Sequence, residues 1–116
     1  MPEASANPSL SVAAFHILVA VASGPRHGYG IMKEVATATG GEVKLNAGTL
    51  YTTIRRLLED GLIRETDAPN GLDDVDERRR YYAITTSGRR IAEIELARLK
   101  SVVQHAAATL RPRHSG

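Results

Sequence analysis

Apolar residues recur along this chain in helix-like blocks parted by glycine, proline and polar turns, with two short β-rich runs ahead of the last block. The sharpest block is Asn46 to Ile63, NAGTLYTTIRRLLEDGLI. Leu50, Ile54, Leu57 and Leu58 fall at i, i+4, i+7 and i+8, which is one face of an α-helix. Thr49, Thr52, Arg55, Arg56 and Glu59 take the opposite face. Asn46 is a good N-cap, and Gly61 supplies a left-handed stop after the last turn. Short hydroxyls and two arginines on a helix floored by Leu and Ile suit contact with phosphate oxygens and base edges in a major groove. A solvated surface helix shows a similar polar face, so the neighbouring elements decide between the two readings.

After this helix, Leu62 to Thr66 and Tyr81 to Thr85 read as strands around a turn at Pro69, Asn70 and Gly71. That predicts a hairpin with a long tip. Upstream, Leu10 to Ala22 is a helix rich in Ala, Val, Ile and Leu, ended by Ser23-Gly24-Pro25. Gly28 to Thr39 is a second helix ended by Gly40 and Gly41. Ile31, Met32 and Val35 should be buried on it, with Lys33, Glu34 and Thr37 facing out. Tyr81 and Tyr82 alternate in a strand, which puts one in the core and one outside. Three helices followed by a hairpin is the order of a winged helix-turn-helix.

The last block changes the picture again. Thr86-Ser87-Gly88 caps a helix that runs to about Leu110, with Pro112 beyond it. Ala92, Leu96, Leu99, Val103, Ala106 and Leu110 are spaced 4, 3, 4, 3, 4, a coiled-coil seam. A seam this short is marginal alone in water and needs a partner. It packs either on the first helix of its own subunit or on a second subunit; the periodicity favours the second. The predicted fold class is mainly α with a small β-hairpin: a winged helix-turn-helix plus a C-terminal dimerisation helix. The expected division is a flexible tail over 1–9, the DNA-binding domain over 10–85, the dimerisation helix over 86–111 and a tail over 112–116.

The chain has 116 residues, room for one domain with a modest core. It has no Cys, which excludes disulfides, thiol catalysis and Cys-based zinc sites. No apolar run approaches the roughly 18 residues of a membrane span, and MPEASANPSL has no signal-peptide pattern, so a cytoplasmic protein is expected. The net charge of +2 says little about nucleic acid. Its distribution says more. The predicted hairpin tip carries Asp67, Asp73, Asp74, Asp76 and Glu77, while Arg78, Arg79 and Arg80 begin the returning strand. Arg78 and Arg79 either reach phosphate or the minor groove, or pair with those acids. His16, His27, His105 and His114 lack metal-ligand spacing, Gly28-Tyr29-Gly30 is no phosphate loop, and nothing arranges a triad. Neither an enzyme nor a cofactor or metal site is expected.

Three segments together carry a family resemblance. Pro25 to Lys33 (PRHGYGIMK), Ala47 to Ile63 (AGTLYTTIRRLLEDGLI) and Arg80 to Gly88 (RYYAITTSG) resemble PadR-type transcriptional regulators in order and spacing. The resemblance implies a dimeric, ligand-responsive, winged-helix repressor whose first and last helices build the dimer. It also implies that the Tyr51 hydroxyl reaches a phosphate; the residues alone equally allow a half-buried ring packed on the second helix. Some members of the family sense phenolic acids, and others hold planar drugs between tryptophans at the dimer centre. This chain has no Trp, which speaks against stacking of flat drugs. Phe15, His16 and Val19 are the candidate effector residues, with ordinary core or dimer packing as the alternative.

Candidate DNA contacts follow by residue type. Thr49, Thr52 and Thr53 suit phosphate or thymine methyls near the start of the recognition helix, where Asn46 also stands. Arg55 or Arg56 suits a bidentate guanine contact or a phosphate clamp, and Arg56 is favoured as the more outward. Lys33 and Lys44 are candidate phosphate neighbours. The expected partners are a double-stranded DNA operator, a second copy of the chain and a small-molecule effector. The rival is a protein-interaction module that keeps the fold without specific DNA binding, a reading the acidic hairpin tip favours.

Overall fold

The computed structural model describes residues 10–69 and 80–112. Helix α1 spans Val12–Ala22, strand β1 Arg26–His27, helix α2 Gly28–Ala38 and helix α3 Ala47–Glu59. Strands β2 (Ile63–Thr66) and β3 (Tyr81–Ile84) follow, and helix α4 runs over Thr86–Thr109.

Each helix starts on a side chain that takes up an otherwise unpaired amide. Ser11 accepts from the Ala14 amide at 3.0 Å. His27 accepts through Nδ1 from Gly30 at 3.0 Å, Asn46 from Thr49 at 2.7 Å, and Thr85 from Gly88 at 2.9 Å. The starts of two helices shift from the sequence reading, and α2, β2 and β3 are each one residue shorter than expected. Helix α1 begins at Val12 rather than Leu10, because Ser11 is its cap. Helix α4 is capped by Thr85, ahead of the expected Thr86-Ser87-Gly88, and the same hydroxyl donates to the Gly61 carbonyl at 2.7 Å. The stop after α3 is as expected. Gly61 has φ of 74°, and the Gly61 and Leu62 amides bond back to Leu58 and Leu57 at 3.1 and 2.9 Å. That turn aims the buried Leu62 and Ile63 inward and launches β2.

The hairpin is part of a larger sheet. Strand order is β1-β3-β2, antiparallel throughout, with Arg26 opposite Tyr82 and Glu65 opposite the other side of Tyr82. The hydrophobic pattern predicts no strand at Arg26–His27. Two residues carry no periodicity, so β1 is invisible until β3 pairs with it. The expected alternation in β3 holds: Tyr82 is buried, and Tyr81 lies half-buried with its ring edge-on to His27 at 5.2 Å.

One core joins the elements: Ile17, Leu18 and Val21 of α1, Ile31 and Val35 of α2, Leu50, Ile54 and Leu57 of α3, then Leu62, Ile63 and Tyr82. Met32 and Leu58 are partly buried at its edge. The end of α1 is closed by two cations, one nearby in the chain and one distant. Arg26 donates through Nε to the Ala20 carbonyl at 2.7 Å, and Arg89 to the Ala22 carbonyl at 2.9 Å. Positive charge suits a helix C-terminus, and these bonds tie β1 and α4 to α1.

Helix α4 has two regimes. Ile91 and Ala92 pack on the core, and Gly88 lies directly on the Leu62 backbone, where a Cβ would collide with the carbonyl. Farther along, Leu96, Val102, Val103 and Leu110 are exposed, Val103 at 64 % and Leu110 at 77 %. No helix among the described residues is long and apolar enough to cross a membrane.

Candidate nucleic-acid interface

Helix α3 presents Thr49, Tyr51, Thr52, Arg55 and Arg56 on its exposed side, while Leu50, Ile54 and Leu57 anchor the other. This division follows from the register of the apolar positions. The Asn46 cap at one end and the Gly61 turn at the other fix the helix within the fold.

The polar side is split by two concavities. One, of about 530 Å³, is lined by Tyr29, Tyr51 and Arg55 together with Glu65, Arg80 and Tyr82 of the sheet. It joins the start of α2, the flank of α3 and the base of the wing. The other, of about 590 Å³, holds Thr52, Thr53 and Arg56 beside Leu10, Ser11 and Asp60 at the start of α1. The two arginines of α3 therefore stand on opposite flanks. Arg55 faces the wing and Arg56 the first helix. Neither is paired with an acid among the described residues. Thr53 is only partly exposed, and the Asn46 side-chain oxygen is committed to its cap.

Within the first concavity, Arg80 donates to Glu65 at 3.0 Å. The sequence reading grouped Arg80 with Arg78 and Arg79 but did not single it out. Its signal was the register: Glu65 opposes Tyr82, so Arg80, two residues earlier, is the diagonal neighbour of Glu65. Burial and the nearby Glu65 carboxylate push the Tyr82 phenol above its ordinary range, so it stays neutral. Arg78 and Arg79 lie outside the described residues, as does most of the acidic tip.

Tyr51 is 48 % exposed, and its ring lies against Gly28, the first residue of α2. The structure thus shows the half-buried ring packed on the second helix. Tyr29 stacks on His27 with ring centroids 6.4 Å apart, and the Lys33 ammonium sits 5.6 Å from the Tyr29 ring. Lys33 lines a neighbouring concavity with Tyr29, Glu34 and Thr37. Lys44 is exposed in the loop before α3.

The effector candidates are brought together in part. Phe15 and Val19 line an apolar groove of about 380 Å³ with Ala22, Ile84, Ala92 and Leu96, rimmed by Arg89 and Glu93. His16 is not among the lining residues; its ring stands edge-on to Phe15 at 6.0 Å. Of the seam, Ala92 packs inside the subunit, Leu99 and Ala106 are half-buried, and Leu96, Val103 and Leu110 are exposed. Glu95, on the same helix, is little exposed and receives two bonds from Arg98, at 3.0 and 2.6 Å. Those bonds hold the Glu95 carboxyl below its ordinary range. No group of metal-ligating side chains occurs among the described residues.

Three helices, a short sheet and a wing beginning directly after the third helix define a winged helix-turn-helix. The chain belongs to the PadR-like family of transcriptional regulators, whose family model, described as "Transcriptional regulator PadR-like family", matches residues 17–94. Solved structures agree on the fold. A PadR family transcription regulator from Clostridium difficile superposes with a TM-score of 0.72 at 22 % identity, covering 86 % of this chain and 99 % of that one. A PadR-like regulator from Bacillus cereus gives 0.72 at 22 % identity, covering 88 % and 94 %. Bacillus subtilis PadR, solved in complex with operator DNA, gives 0.62 at 18 % identity, covering 91 % of this chain and 51 % of that one. No curated protein matches the chain.

Proposed function

We propose that this regulator is a sequence-specific DNA-binding protein, a dimeric repressor working in the cytoplasm and released by a small-molecule effector. One observation carries the DNA reading: Arg55 and Tyr51 of a rigidly bounded helix share a concave, solvent-open surface with Arg80 at the wing base. Arg55 and the Tyr51 phenol, beside an Arg80 held by Glu65, suit a duplex whose major groove takes α3 and whose backbone passes the wing. The Bacillus subtilis relative in complex with operator DNA supports the same use of the fold. In this reading Arg55 takes the place that sequence alone gave to Arg56. Thr49 meets the groove beside it, Lys33 flanks the backbone, and Thr52, Thr53 and Arg56 serve the opposite strand.

The exposed apolar face of α4 supports the dimer. Val103 and Leu110 are mostly exposed and Leu96 about half exposed among the described residues, and a second copy would cover them. The groove at Phe15 and Val19 opens beside that face. An effector seated there would bias the angle between subunits and so the spacing of the two α3 helices, which requires different contacts in two states. Repression itself rests on the family resemblance.

The test is a salt titration with a duplex selected by the protein from a random-sequence pool, against a scrambled duplex. Selective binding that weakens steeply with salt supports the reading, because neutralised phosphates release counterions. Weak binding, equal on both duplexes, contradicts it and supports the protein-interaction module.

A further inference from the structure

Gly28 is the buried first residue of α2. Its backbone is not left-handed, so nothing conformational demands glycine there. Alanine is the better helix former. What the glycine provides is room. A Cβ at this position would collide with the Tyr51 hydroxyl and lie 2.9 Å from Cζ and 3.1 Å from Cε1. Other helical glycines differ. At Gly30 and Gly48 the nearest atoms would be 3.5 and 3.4 Å away, which is ordinary packing. At Gly88 the obstacle is the Leu62 backbone, which cannot yield without moving α4 off the sheet. At Gly28 the obstacle is the tip of a half-exposed side chain, which can swing away while the fold stays put.

We propose that Gly28 is a positioning residue for DNA binding: its missing Cβ seats the Tyr51 ring on the start of α2 and so sets where the Tyr51 hydroxyl meets the phosphate backbone. The inference rests on the DNA-binding reading above. Phosphate contacts fix the register of a protein on a duplex. A hydroxyl held in place by packing binds without first losing rotamer freedom, which a free tyrosine would have to do. Helix α2 thereby contributes to recognition through a contact it does not itself make.

The experiment is a double-mutant cycle on the duplex selected from a random pool, with Gly28→Ala, Tyr51→Ala and the double variant, each also followed by thermal unfolding. Gly28→Ala should stay folded and lose roughly tenfold in affinity, the size of one hydrogen bond to a charged group. Tyr51→Ala should lose a similar factor, and so should Tyr51→Phe, which removes only the hydroxyl. The double variant should bind no more weakly than Tyr51→Ala, because Gly28 acts through that ring. Wild-type affinity in Gly28→Ala overturns the proposal. So does a double variant weaker than Tyr51→Ala by the factor Gly28→Ala costs alone. If Gly28→Ala does not fold by itself, the double variant carries the comparison, since the obstructing ring is gone; equality with Tyr51→Ala supports the proposal and further loss overturns it. A wild-type protein that selects no duplex overturns the underlying DNA reading as well, whereas a binding wild type unaffected by Tyr51→Ala overturns this inference alone.

Discussion

At the residue scale, side chains on α3 have separable duties. Leu50 has no exposed surface and sits at the centre of the core. Leu50→Ala should cost about 2–5 kcal/mol, since a cavity is left behind where the helix cannot settle inward; urea unfolding would measure it. Arg55 and Arg56 lie outside that core, so their removal should leave the unfolding midpoint nearly unchanged. Arg55→Ala should weaken binding to the selected duplex more than Arg56→Ala does. If Arg55 reads a base, discrimination at one position should fall by about 1–3 kcal/mol. If it meets phosphate, affinity should fall evenly across sequences. A larger loss from Arg56→Ala would restore the assignment that outward angle alone suggested. The helix wheel placed both arginines on the polar side correctly. It could not show which flank meets the wing, because that depends on where β3 lies, and a one-dimensional pattern does not carry that information.

At the scale of elements, boundaries with a chemical marker were legible. Asn46 opens α3 and Gly61 closes it as the sequence indicated, because a cap needs a particular side chain and a left-handed residue favours glycine. Asn46→Ala should lower stability by about 1 kcal/mol in chemical denaturation. Strand β1 was not legible: its two residues are held by pairing with β3 rather than by their own pattern. Nor was the choice of Thr85 over Thr86 or Ser87 as cap, three adjacent hydroxyl residues that the sequence cannot rank. In α4 the Glu95–Arg98 pair gives the helix a pH dependence. The Glu95 carboxyl is held below its ordinary range, so its contribution is complete above that range and is lost as pH falls below it through the lowered folded-state value. Thermal midpoints of Glu95→Gln should therefore fall less on acidification than those of wild type. Parallel pH profiles for the two proteins would remove this role from the pair.

At the scale of the whole molecule, the two regimes of α4 connect fold to function. Its first part is bound to the core through Gly88, Ile91 and Ala92, so the exposed second part moves with the DNA-binding body rather than apart from it. Any partner that grips Leu96, Val103 and Leu110 thereby sets the orientation of α3. The 4-3 spacing made this surface visible in the sequence, but spacing could not tell an internal seam from an external one. The exposure of Val103 and Leu110 favours the external one. Leu99→Asp should yield monomers by sedimentation, with binding to the selected duplex greatly reduced; a stable dimer from that variant would place the seam elsewhere. The most direct measurement is a hydroxyl-radical footprint of the wild-type protein on the selected duplex. Two protected patches on one face of the DNA, centred about one helical turn apart, are the result predicted for paired α3 helices. A single patch, or protection spread evenly along the duplex, would contradict a dimer that reads two half-sites.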